Sequence, residues 1–320
     1  MKIAFIGLGA MGGAIAANLQ MSGHQLLVHD VNRLACAALV ARGAVWADSP
    51  ARAVDDVELV FTCLPGPMEV EAVARESDGL LVGMRTGSTW FDLTTNSPDV
   101  MRRLNSAFGA RSVYVLDAPI SGGPQGARSR KLAIWVGGDN AAFRRYLPIL
   151  RTIGDEPLYL GPIGSGCVAK LVHNCASFTV QNALAEAFTL GIKAGLDPVV
   201  LFKALRLGTT GRSRTFDRLA EHFLPGIYDP PSFALRLAHK DMSLVLALAE
   251  SQNMAMPIAE TAMKDMAEAM RRGWGNRDAR IAMTLQTERA GVSLQVPCDR
   301  LRETAVNENY EASDNSITDI

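Results

Sequence analysis

Residues 2–12, KIAFIGLGAMG, decide the fold. Five residues, apolar apart from Lys2, run up to a glycine, which reads as a short parallel strand buried on both faces. Gly7-Leu8-Gly9-Ala10-Met11-Gly12 then spells G-x-G-x-x-G, and a helical stretch follows from about Ala14 to Met21, closed by Gly23. In such a strand–turn–helix unit the first glycine makes the tight turn. The second lets the backbone approach a pyrophosphate, and the third lets helix and strand pack closely. The helix N-terminus offers its N–H groups and positive dipole end to the phosphates. Alone the hexapeptide is a weak signal. Its context is specific: LLVHD (26–30) reads as the next strand and ends at Asp30, at about the 20-residue separation expected of the acidic partner. A carboxylate there hydrogen-bonds a ribose diol and repels a 2′-phosphate, which favours NAD. Arg33 either accommodates that phosphate, leaving NADP possible, or simply faces water.

Outward from this unit, ELVFTCL (58–64), TWFDLT (89–94), SVYVLDA (112–118) and LAIWVGG (132–138) read as further strands, with room for helices between them. Such alternation implies an α/β, doubly wound Rossmann sheet. The pattern changes at Gly161-Pro162 and Gly164-x-Gly166. Ala/Leu/Met-rich stretches over roughly 166–193, 197–206, 237–252, 258–272 and 277–290 predict an all-helical domain. The expected organisation is a NAD(P)-binding domain over 1–163 and a helical substrate and oligomerisation domain over 164–300. A polar, acidic, flexible tail is expected over 301–320.

Composition narrows the function classes. The 320 residues are 48% hydrophobic and 20% charged, ordinary for a globular chain, and the net charge of −1 supplies no field for nucleic acid or an anionic membrane. Five scattered cysteines without a C-x-x-C pair argue against a disulfide framework or structural zinc and fit a reducing compartment. Met1-Lys2 leads straight into a strand, and no apolar run reaches the roughly 20 residues that span a bilayer, so a cytoplasmic location is expected.

The strand ends carry the chemistry. Cys63-Leu64-Pro65-Gly66-Pro67 lies where ligands bind in such sheets. There Pro65 either packs flat against a cofactor or only forms a turn. Asp92-Leu93-Thr94-Thr95-Asn96, with Pro98, ends another strand, and Asp117-Ala118-Pro119-Ile120-Ser121-Gly122-Gly123 ends a third. A Ser-Gly-Gly turn can present a hydroxyl and unhindered N–H groups to a carboxylate, or be an ordinary tight turn. In Gly164-Ser165-Gly166-Cys167-Val168-Ala169-Lys170-Leu171-Val172-His173-Asn174, helical spacing stacks Gly166, Lys170 and Asn174 at i, i+4 and i+8. Apolar neighbours predict a partly buried lysine, and desolvation lowers an ammonium's pKa toward the range a general acid/base needs. The alternative is a lysine that snorkels to solvent. His173, one residue off that face, reads as a core histidine making one hydrogen bond.

GLGAMG (7–12), DLTTNSP (92–98), DAPISGG (117–123) and GSGCVAKLVHN (164–174), in this order, resemble the β-hydroxyacid dehydrogenase family from residue 2 to about 290. Phe233-Ala234-Leu235 with His239-Lys240-Asp241 is similar to the family's closing segment. The resemblance implies a Rossmann domain plus a helical domain, assembled as a homodimer or homotetramer, acting on a small hydroxy acid or its semialdehyde. It implies Lys170 as catalytic acid/base with Asn174 beside it, and Ser121, Gly122 and Gly123 on the substrate carboxylate. It also implies Thr95 and Lys240 on the cofactor, with Asp241 steadying them. The whole Gly7–Gly12 turn, Asp30, Leu64 and Pro65 complete the expected cofactor contacts. Two departures stand out: Arg130 occupies a position where relatives carry glycine, and His173 one where they carry asparagine. Lys-x-x-His-Asn resembles 6-phosphogluconate dehydrogenase, a decarboxylating alternative, although Ser177 replaces that enzyme's acidic residue. Imine reductases share the architecture but usually lack the lysine. A non-catalytic dinucleotide-binding assembly module is the rival from another class. No metal-ligand cluster or G-x-S-x-G elbow is visible. Arg212 and Arg214 either reach a second anionic group of the substrate or face water.

Overall fold

The computed structural model describes residues 1–193, 195–208, 219–251 and 255–301. The chain divides into two compact units, Met1–His173 and Asn174–Ile320. Arg212, Arg214 and the tail beyond Leu301 lie outside the described residues.

In the first unit nine described strands form one sheet: β1 (Lys2–Ile6), β2 (Gln25–His29), β3 (Val45–Trp46), β4 (Leu59–Thr62), β5 (Thr89–Asp92), β6 (Tyr114–Asp117), β7 (Ile120–Ser121), β8 (Ala133–Gly137) and β9 (Glu156–Gly161). Strands β3-β2-β1-β4-β5-β6 are neighbours in that order and parallel throughout. The order reverses between β1 and β4, which makes their carboxyl ends the ligand crevice of a doubly wound sheet. Successive side chains of a strand face opposite ways. Accordingly Ile3 and Phe5 enter one core, Ala4 and Ile6 the other. Phe5, Phe61 and Phe91 are cross-strand partners with ring centroids 6.0 and 5.6 Å apart, all fully buried. Burial of each is worth roughly 1.5–3 kcal/mol.

Helices α1 (Gly12–Met21), α2 (Pro67–Arg75), α3 (Pro98–Gly109), α4 (Gly123–Ser129) and α5 (Asn140–Leu150) connect the strands. The apolar stripe of α3, Val100, Met101, Leu104 and Phe108, is its buried face. Two features of the sheet differ from the sequence expectation. Strand β8 runs antiparallel to β6 and β7, and β3, β7 and β9, the last paired parallel with β8, lie beyond the strands expected from apolar runs. Pro157 and the exposed Leu158 break the pattern of a doubly buried strand, which is why EPLYLG is silent in sequence.

Arg130 is the C-cap of α4, at φ 61° and ψ 29°, the left-handed region in which glycine is at home. Its Nε reaches Asn18 Oδ1 on α1 at 3.4 Å, too long to offset the strained backbone. Arg130→Gly is expected to raise stability by about 0.5–1 kcal/mol, allowing for the freer unfolded chain. Urea unfolding checks this, and a lower midpoint in the variant contradicts it.

The second unit is helical, as expected. It takes in most of α6 (Ser165–Lys193) and contains α7 (Pro198–Leu207), α8 (Leu235–Ser251), α9 (Pro257–Arg271) and α10 (Thr284–Arg289). Asp197 caps α7 by accepting the Val199 and Val200 N–H groups at 2.9 and 3.0 Å, with Pro198 at the first helical position. Ala259, Ala262 and Ala269 of α9 share a core with Leu235, Ala238 and Met242 of α8. The stretch expected as one helix over 277–290 splits into a 3₁₀ turn, Ala279–Met283, and α10. Buried Asp278 accepts the Arg280 N–H and the N–H groups of Ser232 and Phe233, which sets that break.

Candidate active site

The glycine turn at the end of β1 has the geometry its sequence implies. Gly7 sits at φ +90°, and a Cβ there would lie 2.3 Å from the Cys63 carbonyl oxygen. A Cβ on Gly12 would lie 1.9 Å from the Gly7 carbonyl oxygen, so turn and helix touch backbone to backbone. The place of a Gly9 Cβ is different: beyond Gly9 and its two chain neighbours no atom lies within 4 Å of it, and Gly9 and Ala10 are exposed just before α1. Open approach at Gly9, between two contacts that tolerate no side chain, fits a dinucleotide pyrophosphate. Asp30 is tied to the same turn. Its carboxylate accepts the Leu8 N–H at 2.6 Å and the Asn32 N–H at 2.7 Å. Arg33 is exposed, and its guanidinium lies over the Trp46 ring, 5.5 Å from the centroid.

The loops at the ends of β4 and β5 are built on each other. The Leu64 N–H donates to Thr94 Oγ1 at 3.0 Å, and Leu64 Cδ2 comes within 2.8 Å of where a Gly7 Cβ would stand. Buried Asp92 accepts from the Thr62 hydroxyl at 2.7 Å, Asn96 Nδ2 at 2.9 Å and the Thr94 N–H at 3.2 Å. Burial raises its pKa and those hydrogen bonds oppose the rise. Of residues 92–96 only Thr95 is not buried, so the others frame the loop. Burial, with the Asp92 charge second, pushes the Cys63 thiol up to about 12, so it is no nucleophile at neutral pH.

The Ser121 turn and the Lys170 helix meet within the first unit. Gly122 and Gly123 take φ +136° and +63°, and Gly123 opens α4, so their N–H groups stand at a helix N-terminus. Lys170 is half-buried on the second turn of α6. His173 is no core histidine: it is exposed, its Nε2 lies 3.2 Å from Ser121 Oγ, and its ring packs on Trp135 with centroids 5.0 Å apart. Partial loss of water around the ring, packed on Trp135 and Ser121, and, second, the Lys170 ammonium lower its pKa, which keeps the imidazole neutral near pH 7. Trp135 carries no sequence signal, since it reads as one more apolar strand residue in LAIWVGG. In the second unit Asn174 Nδ2 donates to Asp241 Oδ2 at 2.6 Å, while Lys240 Nζ lies 2.6 Å from Asp241 Oδ1. Asn174 and Asp241 are both buried. One carboxylate is thus shared by an amide and an ammonium.

A parallel sheet of order 3-2-1-4-5-6 with this glycine turn, followed by a lysine-bearing helix and a helical unit, defines a nicotinamide-dependent oxidoreductase of two units. The family model for the NAD-binding domain of 6-phosphogluconate dehydrogenase matches residues 2–169, and that for the NAD-binding domain of NADP-dependent 3-hydroxyisobutyrate dehydrogenase matches 164–286. The chain is 35% identical over 268 residues to 3-hydroxyisobutyrate dehydrogenase of Pseudomonas aeruginosa, covering 81% of this chain and 89% of that one. It is 31% identical over 294 residues to 3-sulfolactaldehyde reductase of Escherichia coli, covering 92% and 98%. A solved 3-hydroxyisobutyrate dehydrogenase from Salmonella typhimurium superposes with a TM-score of 0.79 at 27% identity, covering 89% of this chain and 99% of that one. The chain belongs to the β-hydroxyacid dehydrogenase family.

Proposed function

We propose that this protein moves a hydride between a nicotinamide dinucleotide and a small β-hydroxy acid or its semialdehyde, with Lys170 as the general acid/base. The observation that supports the reading is the contact of Ser121 Oγ with His173 Nε2 at 3.2 Å on the helix of Lys170, whose charge acts on the same imidazole. A nicotinamide held by the glycine turn would supply the hydride acceptor or donor that side chains lack. In the oxidative direction neutral Lys170 takes the proton from the substrate hydroxyl oxygen; in the reductive direction protonated Lys170 returns it to the developing alkoxide. The Ser121 hydroxyl and the N–H groups of Gly122 and Gly123 bind the substrate carboxylate. Asn174, one helical turn past Lys170, holds substrate beside it, its amide oriented by Asp241.

Gly7 to Gly12, Leu64, Pro65, Thr95 and Lys240 contact the cofactor in this reading. Asp30 favours NAD, because its carboxylate is held at the turn while Arg33 is engaged with Trp46. The protein is further proposed to act in the cytoplasm, where its five free thiols stay reduced. It assembles as a homodimer or homotetramer through its helices, where Val200 and Leu207 lie exposed on one face of α7.

A panel of three- and four-carbon hydroxy acids, followed by absorbance of the reduced nicotinamide, tests the activity. At least one acid should turn over, with kcat/KM for NAD exceeding that for NADP by about tenfold or more, and Asp30→Ala should erase most of that ratio. No turnover with either dinucleotide would remove the assignment, and a preference for NADP would remove only the part given to Asp30. Light scattering that returns a monomer mass would exclude the assembly.

A further inference from the structure

We infer that Asp117 is a positioning residue for Lys170: from the end of β6 its buried carboxylate anchors the first turn of α6 and so places the amine. This rests on the proposed role of Lys170. Asp117 is fully buried, and both of its oxygens are used. Oδ1 accepts the Gly164 N–H at 2.6 Å and Oδ2 the Cys167 N–H at 2.7 Å. These donors straddle the start of α6, where N–H groups have no partner within the helix. Gly164, the residue before the helix, has no side chain with which to cap it. A carboxylate nearly fifty positions earlier in sequence therefore does what a local cap does elsewhere, and its charge stands at the positive end of the helix dipole.

The socket around this carboxylate leaves it no slack. A Cβ on Gly137 of β8 would lie 2.6 Å from Asp117 Oδ1. On the helix side, a Cβ on Gly166 would lie 2.2 Å from the Trp135 carbonyl oxygen, 2.9 Å from that of Asp117 and 3.0 Å from Asp117 Oδ2. Burial raises the Asp117 pKa and the Gly164 and Cys167 N–H groups oppose the rise. Among the described residues no ion pair to Asp117 competes with these amides.

Position is what the anchor controls. Lys170 stands three residues past Cys167, within one turn, so any shift of the helix start is carried to it rigidly. Ser121 stands four residues past Asp117 on the other arm of the chain and closes back on α6 through His173 at 3.2 Å. One carboxylate thus gives the anion-binding turn and the amine a common origin. A displacement on the order of 1 Å at a reacting group can cost about a hundredfold in rate.

The test is Asp117→Asn, in which an amide NH₂ replaces one acceptor and meets a backbone N–H. The full-length variant is compared with wild type on the same substrate, well below both melting temperatures. We expect kcat to fall by about ten- to a hundredfold with cofactor Kd within about threefold of wild type. Hydrogen exchange should accelerate at the Gly164 and Cys167 amides. Wild-type kcat in a folded, cofactor-binding variant overturns the proposal, because a merely structural anchor would lower the melting temperature and leave the folded molecules fully active. If Asp117→Asn does not fold, Gly166→Ala displaces the same turn with the carboxylate kept, and unchanged kcat there overturns it equally. Lys170→Ala on the same substrate separates the two readings. Turnover retained in that variant removes the role of Lys170, whereas a dead Lys170→Ala beside a fully active Asp117→Asn removes only the anchor.

Discussion

Lys170→Ala is expected to lower kcat by about 10²–10⁴, the usual contribution of a positioned general acid or base. At 1.36 kcal/mol per decade, that is roughly 3–5 kcal/mol of lost transition-state stabilisation. The loss should fall on kcat and on kcat/KM alike, because the proton transfer exists only in the transition state. Cofactor affinity, read by fluorescence of bound NADH, should stay within about threefold, since the glycine turn at Gly7–Gly12 owes nothing to α6. The lysine's half-burial makes alanine tolerable in the fold, so the melting temperature should hardly move. A variant with near-wild-type turnover would show that the helix carries some other group to the chemistry.

The glycine turn supports an equally sharp contrast between two neighbouring substitutions. In Gly12→Ala the new Cβ would meet the Gly7 carbonyl oxygen at 1.9 Å and Phe5 Cε1 at 3.1 Å, so β1 and α1 must separate. Overpacking of this kind costs roughly 1–3 kcal/mol, and cofactor binding should fail together with stability. In Gly9→Ala nothing beyond the residue itself and its two chain neighbours lies within 4 Å of the new atom. Stability should therefore be unchanged, while cofactor affinity falls by about tenfold or more because the methyl occupies the pyrophosphate's approach. Thermal unfolding and NADH titration, run on both variants, read the two effects separately. Gly9→Ala binding NADH as wild type would mean that the dinucleotide does not cross the turn at Gly9.

The two variants also show which parts of the molecule were legible in its residues. KIAFI, the glycine turn and strands β2, β4, β5 and β6 were readable because short apolar runs and glycine spacing are local signals with one structural outcome, whereas the two-residue β3 carries no such run. The helical unit was readable for the same reason, up to the 3₁₀ break at Ala279–Met283, where buried Asp278 overrides helix periodicity. Lys170 and Asn174 were placed on one helix face by spacing alone, and α6 spans both. His173 was misjudged from its neighbours in sequence, because its exposure and its partner Ser121 belong to a chain segment fifty-two residues away.

Sequence by itself determined the dinucleotide turn, the switch from sheet to helices and the residue types able to bind an anion and move a proton. Each of these follows from the conformational limits of glycine or from hydrophobic period, which act over a few residues. Tertiary structure alone decided the antiparallel turn of β8, the seat of Trp135 beside His173, the left-handed cap at Arg130 and the clamp of Asp117 on α6. Those depend on which backbone N–H groups lack local partners after folding and on which distant oxygen can reach them without water.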